Sequence, residues 1–245
     1  MKISLLATLL ILLGGKCSYT QVLSREWVSY YSGQLTNPNQ IVYEPVENCV
    51  YIVGYTADDT GIATPGSDKD DIGELESPSF PPDISQWKSD FFLGRFDNDG
   101  NRIWSTYIGG DSTESNMVQI ATDRLGNIYI AGQAKSLEGI ATPGAYRTEK
   151  PVDTNLVYFL MKFAPDGEKL WGTYFDPEAH NKDFFYCGLA VDSNQNVYLS
   201  GITYSDTGIS TAGTYQTGKA DGYDGFVVRF DTDGNRLWGT YIGGA

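Results

Sequence analysis

Histidine is almost missing from this chain: His180 is the single one among 245 residues. That excludes multi-histidine metal sites and leaves little material for a histidine-based triad. Basic residues are scarce too, with 17 Lys and Arg against 31 Asp and Glu, a formal charge of −14. Such a chain has no basic face for gripping nucleic-acid phosphates, so no nucleic-acid partner is expected. Cysteine is limited to Cys17, Cys49 and Cys187, too few for a disulfide framework. No Walker loop, dinucleotide fingerprint, HExxH or nucleophile elbow is present. No catalytic residue, cofactor site or metal ligand is therefore predicted, and no binding residue can be singled out.

Long apolar runs are also lacking, apart from one at the start. Ile3–Leu13 is an apolar stretch of 11 residues, too short for a permanent bilayer span. Lys2 precedes it, and Gly14, Gly15, Cys17 and Ser18 follow. This is the pattern of an export signal, residues 1–20, with cleavage after Cys17 or after Thr20. A lipid anchor on Cys17 is the other reading, which Lys16 directly before it fits poorly. Its removal leaves 15 basic against 31 acidic residues, no transmembrane segment, and a secreted or cell-envelope protein. Export permits disulfides. Cys49 and Cys187 nevertheless read as buried free thiols, because they stand at non-equivalent places in the repeat described next.

What the chain has in plenty is glycine (28), tyrosine (17) and aromatic residues (13%), set among Val and Ile. This composition favours β structure over helix bundles. An apolar share of 41% is too high for an acidic disordered tail, and the length suits one large domain or two small ones.

Residues 21–245 repeat themselves. Asn101–Gly110 (NRIWSTYIGG) and Asn235–Gly244 (NRLWGTYIGG) agree at eight of ten positions. A third copy, EKLWGTYFDP, runs from Glu168, and a worn fourth, REWVSYYSG, from Arg25. Their tryptophans, Trp27, Trp104, Trp171 and Trp238, are spaced by 77, 67 and 67 residues. Tyr51, Tyr129 and Tyr198 keep the period in NCVYIVG, GNIYIAG and QNVYLSG. So do TGIATPG, EGIATPG and TGISTAG, and the Phe92/Phe96, Phe159/Phe163 and Phe226/Phe230 pairs. Each unit reads as four strands with alternating apolar residues on both faces, as expected of a sheet packed between other sheets. The fold expected is all-β: four-stranded antiparallel β-propeller-type blades, about three units (27–104, 105–171, 172–238) plus one extra strand. A β-sandwich gives no reason for a period of 67.

The set D-x-x-G-N-x-Y-x-x-G, the GIAT segment, F-x-x-[KR]-F-x-x-[DN]-G and W-x-T-Y-x-G-G resembles the bacterial seven-bladed β-propeller (SBBP) repeat over residues 25–245. The resemblance implies secreted or cell-surface proteins, often large and multi-domain, and no shared catalytic residue. The chain departs from it in having three units and an extra strand, and in Pro45, which stands where Asp123 and Asp192 stand. Three blades have no ready way to close a ring. The reading is therefore the front part of a longer propeller or a truncated product. A compact three-blade fold, or self-association through an open propeller edge, is the alternative.

Several local features invite chemistry. Asp97–Asn101 and Asp231–Asn235 suggest calcium, but Gly is fourth, and Ile108 and Ile242 occupy the twelfth place where an EF-hand needs Glu. Ala164-Pro165-Asp166-Gly167 has lost the first acid, so a hairpin turn is the better reading. An insertion, Ser67–Asp90, carries Asp68, Asp70, Asp71, Glu74 and Glu76 with Phe80 and Trp87. It reads as a solvated rim excursion, with a partner, glycan or cation site as its other use. His180 sits in a polar loop beside Glu178 and Asp183 and reads as exposed. The repeat tryptophans read as packing residues in preference to sugar platforms. Two functions follow. The first is an exported, non-enzymatic scaffold or binding module that meets a protein or polysaccharide at its loop rims. The second is an extracellular glycoside hydrolase or lyase.

Overall fold

A computed structural model describes residues 36–72, 89–112, 114–115, 117–150, 156–175 and 187–244. The signal-like segment, the Trp27 strand, most of the insertion and the His180 loop lie outside the described residues.

Twelve strands form three four-stranded antiparallel sheets, and no helix occurs among the described residues. The first blade holds β1 (Thr36–Glu44), β2 (Cys49–Thr56), β3 (Asp90–Phe96) and β4 (Arg102–Ile108). The second holds β5 (Val118–Thr122), β6 (Ile128–Ala134), β7 (Val157–Phe163) and β8 (Lys169–Phe175). The third holds β9 (Cys187–Val191), β10 (Val197–Thr203), β11 (Asp224–Phe230) and β12 (Arg236–Ile242). Each blade is a meander in chain order, and the first strands of successive blades lie side by side. This is an all-β architecture of propeller-type repeats; the three sheets form no closed barrel.

The repeat's signature residues have structural tasks. Asp123 organises the β5–β6 turn: its carboxylate accepts from the Leu125 and Asn127 amides, the Asn127 side chain and the Tyr129 hydroxyl. Asp192 does the same in the third blade with Asn194, Asn196 and Tyr198. Burial works against its charge, but those hydrogen bonds prevail and hold it down at about 2. In the first blade Pro45 cannot do this work, and the chain shifts the task by one residue. Buried Glu44 accepts from the Val46 and Glu47 amides, and the turn is one residue shorter. The glycine of Y-x-x-G is required by close approach. A Cβ on Gly132 would come within 3.0 Å of the Phe159 ring, and Gly54 and Gly201 lie under Phe92 and Phe226 in the same way.

The GIAT segment guards an edge. Thr64, Thr142 and Thr211 donate their amides to the carbonyls of Ser105, Gly172 and Gly239 on the outermost strands. Ile62, Ile140 and Ile209 are fully buried beneath that contact. The exposed edge of β4, β8 and β12 is thereby covered by the blade's own loop. All three β3–β4-type pairs also carry a bulge before Phe96, Phe163 and Phe230. In the first two blades it lies where the tryptophan strand turns its indole toward the next blade.

The core lies between blades. Tyr51, Val53, Phe91, Leu93 and Ile108 of the first blade meet Val118, Ile120, Ile128, Ile130, Phe159, Met161 and Phe163 of the second. Tyr129, Ala131, Tyr158, Leu160 and Phe175 continue the pattern into Val197, Leu199, Phe226, Val228 and Phe230. Every residue of β6 and β7 is buried, because the middle blade is covered on both sides. In β11 buried and half-buried residues alternate, because one face has no neighbouring blade among the described residues.

Candidate functional site

The seams between blades are built on one plan. The Trp104 indole donates to the Pro165 carbonyl at 3.0 Å, and Trp171 donates to the Thr232 carbonyl at 3.0 Å. Each ring lies against the glycine of that turn, Gly167 or Gly234. Arg95 and Lys162 donate to the same two carbonyls. Trp104 and Trp171 are thus joints between blades, each half-buried. The D-x-D-G turns at Asp97 and Asp231, of which the second receives Trp171, spend their carboxylates locally. Asp97 accepts from Asp99, Asn101 and the Asn101 side chain, and Asp231 accepts from Asp233, Asn235 and the Asn235 side chain. The Asn101 side chain and amide hold the Asp97 carboxyl below its ordinary value. Among the described residues no group of three or more His, Cys, Asp and Glu is placed to hold a metal ion.

The two seams differ most beside the GIAT segment. After the GIAT segment the second blade carries Ala145-Tyr146-Arg147, where the first has Ser67-Asp68-Lys69. The positions correspond in space: Tyr107 and Tyr174 donate their amides to the carbonyls of Lys69 and Arg147. Tyr146 fills the outer part of its seam. Its ring lies 6.4 Å from Phe175, 6.0 Å from Phe230 and 5.9 Å from the Arg236 guanidinium. In the first seam Asp68 occupies that position, 3.7 Å from Lys169, the counterpart of Arg236. A cleft of about 580 Å³ opens there. Its lining combines buried apolar residues, Ile108, Met161 and Phe163, with the polar Asp68, Asp71, Asp111, Glu138, Lys69 and Lys169. A second cleft of about 490 Å³ adjoins it across Asp68, beside Trp104 and Gly167.

A buried polar network holds the first cleft's rim. Lys69 pairs with fully buried Asp90 and donates to the Gly110 carbonyl at 3.3 Å. The Gly110 amide reaches Glu114, whose carboxyl also accepts from the Lys135 amide and the Ser136 hydroxyl. Asp111 accepts from the Leu137 and Glu138 amides. Two glycines make this possible: a Cβ on Gly110 would sit 1.8 Å from the Glu138 carbonyl, and one on Gly109 2.6 Å from Asp90. That is a structural reason for the paired glycines closing W-x-T-Y-x-G-G.

Glu114 gives the rim a pH dependence. Burial pushes its carboxyl up to about 7, and the nearby Asp90 adds to this, while the hydrogen bond from Ser136 opposes it. When protonated it can donate to the Ser136 hydroxyl, which in turn donates to the Ser112 carbonyl at 3.2 Å. An acid raised from 4.5 takes up a proton on folding between the two values. Its contribution to stability is complete below the lower value and is lost as pH rises through the upper one. Glu114→Gln, neutral throughout, is expected to flatten that decline by up to about 3 kcal/mol. Denaturant melts at about pH 5 and about pH 8 measure it; equal slopes for both proteins would refute it.

Other singled-out residues lie apart from this site. Cys49 and Cys187 are free thiols on different blades, the first buried and the second half-buried. Burial pushes the Cys187 thiol up to about 12, which keeps it protonated at neutral pH. Of the insertion, Asp68, Asp70 and Asp71 are described, and two of these line the cleft. Sequence reasoning did not single out Lys69, Asp111, Glu114 or Glu138. The signal for the cleft was the break at Asp68 in the Tyr146/Tyr215 pattern.

Comparison with known proteins agrees with this architecture. The family model of the SBBP beta-propeller repeat matches residues 103–137, from the tryptophan strand of the first blade to just past β6 of the second. The chain is also 25% identical over 176 residues to a WD repeat-containing protein of Acanthamoeba polyphaga mimivirus. That alignment covers 61% of this chain and 12% of the relative, so the chain corresponds to a small part of a much longer protein.

Proposed function

We propose that this chain is an exported β-propeller-repeat module of a bacterial cell envelope or its surroundings, acting as a scaffold or binding unit. A partner protein or polysaccharide would meet it at its loop rims and blade seams. The observation that carries this is the cleft at Asp68, where one seam departs from the repeat and opens a polar-walled space over apolar residues. The signal-like residues 1–20 support export. The third blade adds a second surface: Ile242 is exposed where Phe175 is buried, and Tyr215 is 86% exposed against 41% for Tyr146. Self-association through that face belongs to the same reading. Capture from culture supernatant and a glycan array, using wild type and Asp111→Ala, test it: binding should fall in the variant. Absence of any binding at high micromolar concentration counts against the module. Light scattering of the same samples reports whether copies join.

The cleft also gives the polysaccharide-enzyme reading one point of support, since it brings Asp68, Asp71, Asp111 and Glu138 together. Asp111 is committed to two backbone amides and Asp68 faces Lys169, which are holding roles in place of proton transfer. Turnover of a polysaccharide that Glu138→Gln abolishes would establish an enzyme.

A further inference from the structure

The second seam shows what the first one lacks. There a phenol ring is held between two phenylalanines, edge-on to Phe230 and stacked near Phe175, with a guanidinium over its face. In the first seam Phe163 stands for Phe230 and Lys169 keeps the positive charge of Arg236, while aliphatic Ile108 replaces Phe175. The phenol ring itself is replaced by Asp68. The space left is lined by four carboxylates and two lysines, so a positive charge beside the ring would be favoured.

We propose that the cleft at the first seam binds an aromatic ring flanked by a positive charge, as presented by an aromatic–basic segment of a partner protein. The ring takes the place that Tyr146 takes in the next seam, over Phe163 and Ile108. Lys169 meets a hydroxyl on it, as Arg236 meets the Tyr146 hydroxyl at 3.5 Å. The cation lies toward Asp68, Asp111 and Glu138. This assigns a ligand chemistry to the cleft on which the module reading rests, and it favours a protein over a neutral polysaccharide.

The decisive variant restores the repeat. Asp68→Tyr puts the missing ring back on the chain itself, so it should fold, fill the cleft and raise the melting temperature by roughly 2–4 °C. Tyramine, a phenol carrying an ammonium group, is the probe. Titrated into the 245-residue chain and followed by NMR, it should shift the Ile108 and Met161 methyl signals. Asp68→Tyr should weaken that binding at least about tenfold. Asp111→Asn with Glu138→Gln should weaken it while leaving the cleft open. The proposal is overturned if tyramine causes no shift at millimolar concentration, if Asp68→Tyr binds it equally, or if a neutral oligosaccharide occupies the cleft instead. A chain that captures a partner yet ignores tyramine would sink this assignment and spare the module. A chain that binds tyramine but captures nothing would do the reverse.

Discussion

Phe159→Ala is expected to destabilise the chain by about 4 kcal/mol, in the range seen for removing a fully buried aromatic side chain. The residue sits on β7 of the middle blade and is completely buried. Its ring packs 5.6 Å from Phe91 of the first blade and lies over Gly132 on the neighbouring strand. Truncation therefore opens a cavity in the seam and uncovers a glycine that has no side chain to fill it. Relaxation is poor, because β6 and β7 are held by neighbours on both faces. Chemical denaturation of wild type and variant measures the loss. A change below about 1 kcal/mol would mean that the blades do not share one cooperative core.

Much of this frame was legible beforehand, and the reason is the repeat. Strand alternation with apolar residues on both faces pointed to sheets packed between sheets, and the structure buries both faces of β6 and β7 in the middle blade. The period of the tryptophans pointed to stacked four-stranded sheets, and three such sheets are present. The Asp-x-x-Gly-Asn and Asp-x-Asp-Gly runs read as turns and are turns, because a short acid that accepts nearby amides favours that geometry wherever it occurs. Local chemistry of this kind is carried by the residues themselves.

The site was much less legible, for a physical reason. A cleft is defined by what is missing, and Asp68 is unremarkable in an acidic loop until its counterparts Tyr146 and Tyr215 are set beside it. Glu114 is hidden similarly: its three donors come from Gly110, Lys135 and Ser136, a set that only the linker's path between blades assembles. Pro45 was read as wear, and Glu44 shows that a blade can keep a turn by moving its carboxylate one residue along the chain. The joint between blades was also out of reach. Trp104 and Gly167 are 63 residues apart, and nothing in either motif announces the other.

That joint carries the second large effect. Trp104→Ala is expected to cost about 3 kcal/mol, because it removes a ring wedged against Gly167 and Tyr51 and strands the Pro165 carbonyl with one donor fewer. Trp238→Ala should cost about 1 kcal/mol or less. Trp238 packs near Tyr198 at 6.2 Å as Trp104 packs near Tyr51, but no described turn receives its indole. The contrast matters more than either value, since the two residues share strand position, bulge and neighbouring tyrosine. Equal losses would place the tryptophan's value inside its own blade. A large difference would place it in the contact with the next one. Trp104→Phe separates ring from hydrogen bond, and pairing it with Arg95→Ala tests the shared acceptor, to which Trp104 donates at 3.0 Å and Arg95 at 2.9 Å. If the joint works as a unit, the second change should cost less in the presence of the first, because the seam has already loosened around Pro165.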